Sequence, residues 1–177
     1  MESRAKFLGH PLHQMMVVFP LGLLATSVLF DIAGALTNNP ELYRVAYWLI
    51  MVGVVTGLLA AVPGWIDWAH IPSGTRAKRI GLVHGLGNTV VLAAFGFSEW
   101  LRYGSDPSAP ATAAVVLSFL GVALALFTAW LGGELVDRLG VGVDPGANLN
   151  APSSLSGLSA TETSEPITGD APLPAQR

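Results

Sequence analysis

The chain has 177 residues with a formal net charge of -3, and 51% of the residues are hydrophobic while only 12% are charged. Soluble domains carry about 25% charged residues, so the composition argues against a soluble protein and favours one that spans a lipid bilayer. Because there is no cysteine, disulfides, thiolate metal sites and thiol catalysis are excluded, and any site must use histidine, carboxylate, amide or backbone groups.

Four long stretches without charged residues are separated by short polar segments, and each is near or above the roughly 20 residues that cross a bilayer core. The sequence therefore predicts an all-α fold, an integral membrane four-helix bundle over residues 11–143. Residues 1–10 are expected to form a cytoplasmic N-terminal segment, and the Pro/Ser/Gly-rich residues 144–177 a disordered tail. The predicted helices span about 11–36, 43–68, 79–101 and 111–139.

The first helix begins with an unusual polar stretch. Its apolar run is longer than the roughly 7 to 15 residues of a secretory signal core, and it carries His10, His13 and Gln14 at its head. We therefore interpret it as a retained helix and not as a cleaved signal. Pro11 suits the first turn, where its missing N–H costs little, and Pro20 is predicted to kink the helix.

The distribution of Lys and Arg predicts the orientation, because cytoplasmic loops carry the excess of these residues. One side of the predicted bundle has only Arg44 and Arg102. Both termini and the middle loop are therefore expected in the cytoplasm. The basic residues on that cytoplasmic side are Arg4, Lys6, Arg76, Lys78, Arg79 and Arg138.

This topology brings all four histidines and several carboxylates to the cytoplasmic end of the bundle, where an ionisable side chain at a membrane boundary needs partners. Three interpretations remain open. In the first, His13 and His84 are axial ligands of a b-type haem, with basic surface residues near its propionates. In the second, imidazole and carboxylate groups bind a divalent metal such as zinc or iron. The candidate metal ligands are His10, His13, Asp67, His84 and Glu134.

The third interpretation, which the sequence favours, is a non-catalytic polar network in a structural protein or a subunit of a larger membrane complex. Asn88 lies four residues after His84, so both side chains share a helix face and are expected to point into the bundle. Asp31 lies five turns from His13 at the opposite membrane boundary. It is either a solvated helix end or part of a second, outer polar site.

The sequence lacks the motifs that are typical of several other function classes. There is no Gly-x-Ser-x-Gly elbow, no phosphate loop and no paired carboxylates on one helix face, so an enzymatic role is limited to a membrane redox component. The basic residues flank membrane helices and form no patch on a soluble domain, which argues against nucleic-acid binding. The expected partners are the lipid bilayer and either other membrane subunits or further copies of the chain.

The chain carries the motifs His10-Pro11-Leu12-His13, Phe19-Pro20, Asp31, Gly64 to Asp67, His84-Gly85 to Asn88, Gly132 to Val136 and Gly140 to Val143. Together these motifs resemble the bacterial membrane family of unknown function number 2231, over about Gly9 to Val143. The resemblance implies a four-helix protein of the bacterial inner membrane and no assigned activity. Where such proteins often have an aromatic residue after the Gly-Gly-Glu-Leu-Val run, this chain has Asp137.

Overall fold

The structure is a computed structural model that describes residues 1–162 of the chain. The part of the predicted tail at residues 163–177 lies outside the described residues. Two short strands come first, and five α-helices and one π-helical turn follow. These elements are β1 (Lys6–Phe7), β2 (His10–Pro11), α1 (Leu12–Met16), α2 (Val18–Thr37), α3 (Pro40–His70), α4 (Arg76–Tyr103), α5 (Thr112–Gly133) and the π-helical turn Glu134–Arg138.

Four helices in the described residues are long and apolar enough to cross a membrane, which confirms the all-α membrane bundle. Their ends lie within three residues of the predicted ends. Large apolar side chains such as Leu29, Val62 and Leu126 are exposed around the bundle, as expected for a surface that faces lipid tails. The four spans are Leu12–Thr37, Pro40–His70, Arg76–Tyr103 and Thr112–Arg138.

The first span begins at Leu12. Pro11 lies in β2 and caps α1, so it does not occupy the first helical turn. The antiparallel β1–β2 hairpin turns through Leu8 and Gly9, whose φ angles of 50° and 85° are both positive. The span is then interrupted at Val17. Pro20 explains the interruption, because it has no N–H to donate to the carbonyl group four residues before it.

The four spans pack in a ring. α2 contacts α3 and α5, and α4 also contacts α3 and α5, so α2 and α4 lie diagonally across the bundle. The core cluster of buried apolar side chains comes from α2, α3 and α4. Side chains that point inward from α2 and α4 therefore meet at the centre of the bundle.

The two helical hairpins, α1 to α3 and α4 to α5, have equivalent helix contacts at corresponding positions. A Cβ at Gly53 would lie 2.6 Å from Leu24, and a Cβ at Gly121 would lie 2.7 Å from Phe95. Phe95 follows Leu24 by 71 residues, and Gly121 follows Gly53 by 68. In both hairpins a large apolar side chain thus packs against a glycine of the next helix, at equivalent positions. A repeat whose copies run in the same direction is a known plan for membrane proteins.

A fully buried ion pair joins the two hairpins at one end of the bundle, here called the ion-pair end. Arg102 donates from Nη1 to Asp31 Oδ1 at 2.9 Å and from Nη2 to Asp31 Oδ2 at 2.6 Å. Both side chains have no exposed surface. Asp31 is therefore not a solvated helix end, and the assignment of Arg102 to the basic flank outside the helices was wrong. A buried guanidinium is tolerated here because a carboxylate faces it.

Removing one partner of this pair should destabilise the bundle strongly. Asp31→Ala would leave the Arg102 guanidinium buried without a counter-charge, and we expect a loss of about 3–5 kcal/mol in the free energy of unfolding. Unfolding in detergent micelles measures this loss. The double variant Asp31→Leu with Arg102→Met removes both charges and should recover most of the stability.

The control for this experiment is Glu41→Ala, which breaks the exposed contact between Glu41 and Arg44 at 3.7 Å. An exposed pair contributes about 0–1 kcal/mol, so this variant should unfold almost like the wild type. An Asp31→Ala protein as stable as the wild type would show that the ion pair does not hold the hairpins together.

Candidate ligand site at the histidine end

His13 on α1 and His84 on α4 meet at the end of the bundle opposite the ion pair, here called the histidine end. Their ring centroids are 6.3 Å apart and their ring planes are perpendicular, at 90°. His13 precedes Asp31 by 18 residues, and His84 precedes Arg102 by the same 18. Eighteen residues make five helical turns. The histidines and the ion pair therefore lie on the same inward faces of the two diagonal helices.

Each histidine is held by a backbone carbonyl of the second helix in its own hairpin. His13 Nδ1 lies 2.8 Å from the Ala60 carbonyl oxygen, and His84 Nδ1 lies 2.9 Å from the Thr128 carbonyl oxygen. A carbonyl oxygen only accepts, so Nδ1 donates in both rings. In the neutral imidazole, Nε2 then carries the lone pair. Histidines that bind metals in proteins are usually oriented by this kind of hydrogen bond.

A glycine one turn after each acceptor gives the ring room to approach. A Cβ at Gly64 would lie 2.8 Å from His13 Nδ1, and a Cβ at Gly132 would lie 3.2 Å from His84 Cε1. Gly132 follows Gly64 by 68 residues, which is also the separation between Gly53 and Gly121 in the core. Sequence reasoning missed both carbonyl acceptors because a backbone acceptor leaves no residue-type signal. The two equivalent glycines are the signal that could have revealed them.

Asn88 belongs to the same network. Its Nδ2 lies 3.5 Å from Nδ1 and 3.3 Å from Nε2 of His84 and donates to the His84 carbonyl oxygen at 3.0 Å. Its Oδ1 accepts from Thr128 Oγ1 at 3.0 Å. Asn88 thus lies between His84 and Thr128 and contacts both side chains.

A cavity of about 410 Å³ adjoins the two histidines. Cavities of roughly 300–1,000 Å³ are typical of sites for organic ligands. Its polar lining is confined mainly to the histidine end, and the rest is apolar. The apolar and aromatic lining residues include Val17, Pro20, Leu24, Trp65, Trp68, Val91, Leu92, Val122 and Leu126.

The N-terminal segment packs over the histidine end. The N-terminal amino group of Met1 donates to the Gly140 carbonyl oxygen at 2.7 Å, and the Gly142 N–H donates to the Met1 carbonyl oxygen at 2.8 Å. Gly142 also lines the cavity beside Gln14. The first residues of the chain and the segment after the last helix therefore cover this end together.

The carboxylates predicted as metal ligands have other partners. Asp67 accepts from Ser3 Oγ at 2.6 Å and from the backbone N–H groups of Arg4 and Ala5 at 2.7 and 3.2 Å. Glu134 pairs with Arg76 at 2.8 Å. Asp67 thus anchors the N-terminal segment, and Glu134 ties the end of the last span to the start of α4.

The other two histidines also lie apart from the pair. His10 is exposed in β2, with its Nε2 3.3 Å from Ser154 Oγ, and His70 is exposed with its Nδ1 2.8 Å from the Ile66 carbonyl oxygen. The structure does not bring the five predicted metal ligands together. Among residues 1–162, no group of three or more His, Cys, Asp or Glu side chains is arranged to hold a metal ion.

Comparison with known proteins identifies a family but no characterised relative. The family model described as "Predicted membrane protein (DUF2231)" matches residues 9–145. No curated protein matches the chain. No solved structure matches it either.

The glycine beside His13 provides a test of the local geometry. Gly64→Ala would put a methyl group 2.8 Å from His13 Nδ1, so the ring must move away from the Ala60 carbonyl. We expect a loss of about 1–3 kcal/mol in stability, because the buried polar groups lose their hydrogen bond. Thermal or denaturant unfolding in detergent measures it.

Gly133→Ala is the matched control, since nothing lies within 4 Å of a Cβ at that position. This variant should be neutral or gain up to about 1 kcal/mol from the better helix propensity of alanine. Equal losses in both variants would mean that the approach of His13 to the Ala60 carbonyl does not depend on Gly64.

Proposed function

We propose a function from the premise that the chain belongs to the DUF2231 family of predicted membrane proteins, a family of unknown function. In this proposal the protein is a b-type haem protein of the bacterial inner membrane, and His13 and His84 are its two axial ligands. The perpendicular histidine pair at the histidine end of the bundle is the observation that supports it most strongly.

The separation of the rings fits one iron between them. Two imidazoles that each bind a metal ion through nitrogen at about 2.0 Å have ring centroids about 6 Å apart. The observed separation is 6.3 Å with perpendicular planes. The Nδ1 bonds to the Ala60 and Thr128 carbonyls leave Nε2 of each ring as the ligand atom.

The number of ligands favours haem over a free metal ion. A structural zinc ion takes four protein ligands, and a catalytic zinc takes three. In the described residues the two histidines have no third His or carboxylate beside them, because Asp67 and Glu134 bond elsewhere. A haem iron needs only axial ligands from the protein, since the porphyrin supplies four nitrogens.

The surroundings also suit a planar apolar cofactor with an acidic edge. The cavity beside the histidines is lined mainly by apolar and aromatic side chains, including Trp65 and Trp68. Lys78 Nζ lies 2.7 Å from the Trp68 carbonyl oxygen and 3.9 Å from the centroid of the Trp68 ring. This ammonium also donates to the Ala69 carbonyl oxygen at 3.2 Å. Arg79, which is exposed in the same helical turn, is the basic residue proposed to face the haem propionates.

The ligand set points to electron transfer. Two axial histidines leave no open position on the iron, so the bound haem would supply one-electron chemistry without binding a substrate. The residues of this chain hold the rings, shield the cofactor from lipid and place its edge near the histidine end. By the Lys and Arg distribution that end faces the cytoplasm. An electron-transfer protein of this kind works with redox partners, such as other membrane subunits.

A structural role is the second candidate, and the hydrogen bonds themselves favour it. The ring of His84, the amide of Asn88 and the hydroxyl of Thr128 form a connected network that already satisfies their main polar groups. In this case the histidines stabilise the bundle, and the protein is a structural subunit of a larger membrane complex or of a homo-oligomer.

Visible spectroscopy of the purified full-length protein separates the two candidates. After expression with added haem precursor, the reduced protein should show the sharp bands of a six-coordinate low-spin b-type cytochrome. His13→Ala and His84→Ala should each abolish these bands, because each removes one axial ligand. His70→Ala is the control and should keep them, since His70 is exposed and bonds within its own helix.

Two outcomes would contradict the haem proposal. One is a colourless wild-type protein at full haem supply, which would leave the structural role. The other is a low-spin spectrum that survives both His13→Ala and His84→Ala, which would place the haem elsewhere. Metal analysis of the same samples detects a zinc or iron ion bound without porphyrin.

A further inference from the structure

Glu99 on α4 is a buried carboxyl group that the proposed function does not use. Both of its carboxyl oxygens are buried and have no hydrogen-bond partner among residues 1–162. It lies three residues before Arg102, near the ion-pair end and within a membrane span. An ionisable group inside a span that lacks a partner calls for a functional explanation, since burial without compensation is costly.

Arg102 does not serve as the counter-ion of Glu99. Its two terminal nitrogens donate to the two carboxylate oxygens of Asp31. Its Nε lies 3.3 Å from Ser98 Oγ, and Nη2 is also 3.5 Å from Ser118 Oγ. The ion pair is therefore electrically balanced without Glu99. A second carboxylate at this place would add an unbalanced negative charge.

The repeat shows that packing does not require a carboxyl group here. The equivalent residue of the first hairpin, 71 positions earlier, is Val28. Val28 is buried, with 4% of its surface exposed, and belongs to the apolar core. The same register position is thus filled by an apolar side chain in one hairpin and by an acid in the other. The carboxyl group of the second hairpin is therefore the difference that requires a functional explanation.

The groups that face this region allow a neutral acid better than a charged one. α3 contributes the hydroxyl of Tyr47, and α4 contributes Arg102, both within electrostatic reach of Glu99. α2 contributes Asp31, which is a carboxylate like Glu99. α5 has no ionisable residue between Thr112 and Gly133. The two positive charges near this end, Arg44 and Arg102, pair with Glu41 and Asp31. Neither is left to balance an ionised Glu99.

We propose that Glu99 is an intramembrane proton-binding site at the ion-pair end. The carboxylate takes up one proton from water, an O–H bond forms on one oxygen, and no electron is transferred. In the protonated state Asp31 alone pairs with Arg102. When the proton leaves, the Glu99 carboxylate competes with Asp31 for the guanidinium, so proton release is coupled to the contact between the hairpins. This proposal does not depend on haem binding.

Two measurements on the full-length protein in lipid nanodiscs test the site. Dicyclohexylcarbodiimide modifies protonated carboxyl groups in apolar surroundings, and peptide mass spectrometry should find the adduct on Glu99 at neutral pH. The adduct should decrease as the pH is raised and the acid ionises. Asp31 should stay unmodified, because it is ionised against Arg102. Glu99→Gln should lose the adduct completely.

Infrared spectroscopy provides the second readout. The wild type should show a protonated carboxyl C=O band that shifts in D₂O, and Glu99→Gln should lack this band. Glu99→Val copies Val28 of the first hairpin, so it should fold and also lack the band. Glu41→Gln, which changes an exposed carboxyl, is the control and should keep it.

Two results would overturn the proposal. In the first, the wild type has no adduct and the same infrared spectrum as Glu99→Gln, which would show that Glu99 is ionised. In the second, added sodium ions protect Glu99 from modification at constant pH, which would assign the site to a metal cation and not to a proton.

Discussion

The buried ion pair between Asp31 and Arg102 is the constraint on which the bundle depends. Neither charge is stable inside a membrane bundle alone, and the bidentate contact fixes α2 and α4 in one relative register across the centre. Eighteen residues earlier on each helix, that register brings His13 and His84 to one level. The electrostatic requirement at one end thus determines the geometry of the candidate site at the other.

The repeat of two helical hairpins explains why both pairs form. Equivalent positions carry His13 and His84 at one end and Asp31 and Arg102 at the other, so each pair faces its counterpart across the centre of the bundle. Two identical groups at equivalent positions suit a ligand that binds both in the same way. Two opposite charges at equivalent positions suit an ion pair. Differences between the repeats, such as Glu99 in place of Val28, mark where one copy has acquired its own chemistry.

Much of the fold could be predicted from the sequence, because the length and hydrophobicity of a span are local properties. The four helices follow from this, and so does the expectation that the histidines gather at one end of the bundle. Contacts with specific partners could not be predicted. Asp67 pairs with the N-terminal segment, and Arg102 is buried, because both depend on packing between distant parts of the chain. The acceptors of the histidines are backbone carbonyl groups. Every residue has one, so no residue type indicates them.

The orientation of the two imidazole planes is the most direct test of the central claim that His13 and His84 form one bis-histidine haem site. Electron paramagnetic resonance of the oxidised haem-loaded protein at low temperature reads this orientation, because the anisotropy of a low-spin ferric haem depends on the angle between its axial ligand planes. The perpendicular rings predict a highly anisotropic low-spin signal. A rhombic signal typical of parallel ligand planes, a high-spin signal or the absence of a haem signal would contradict the claim.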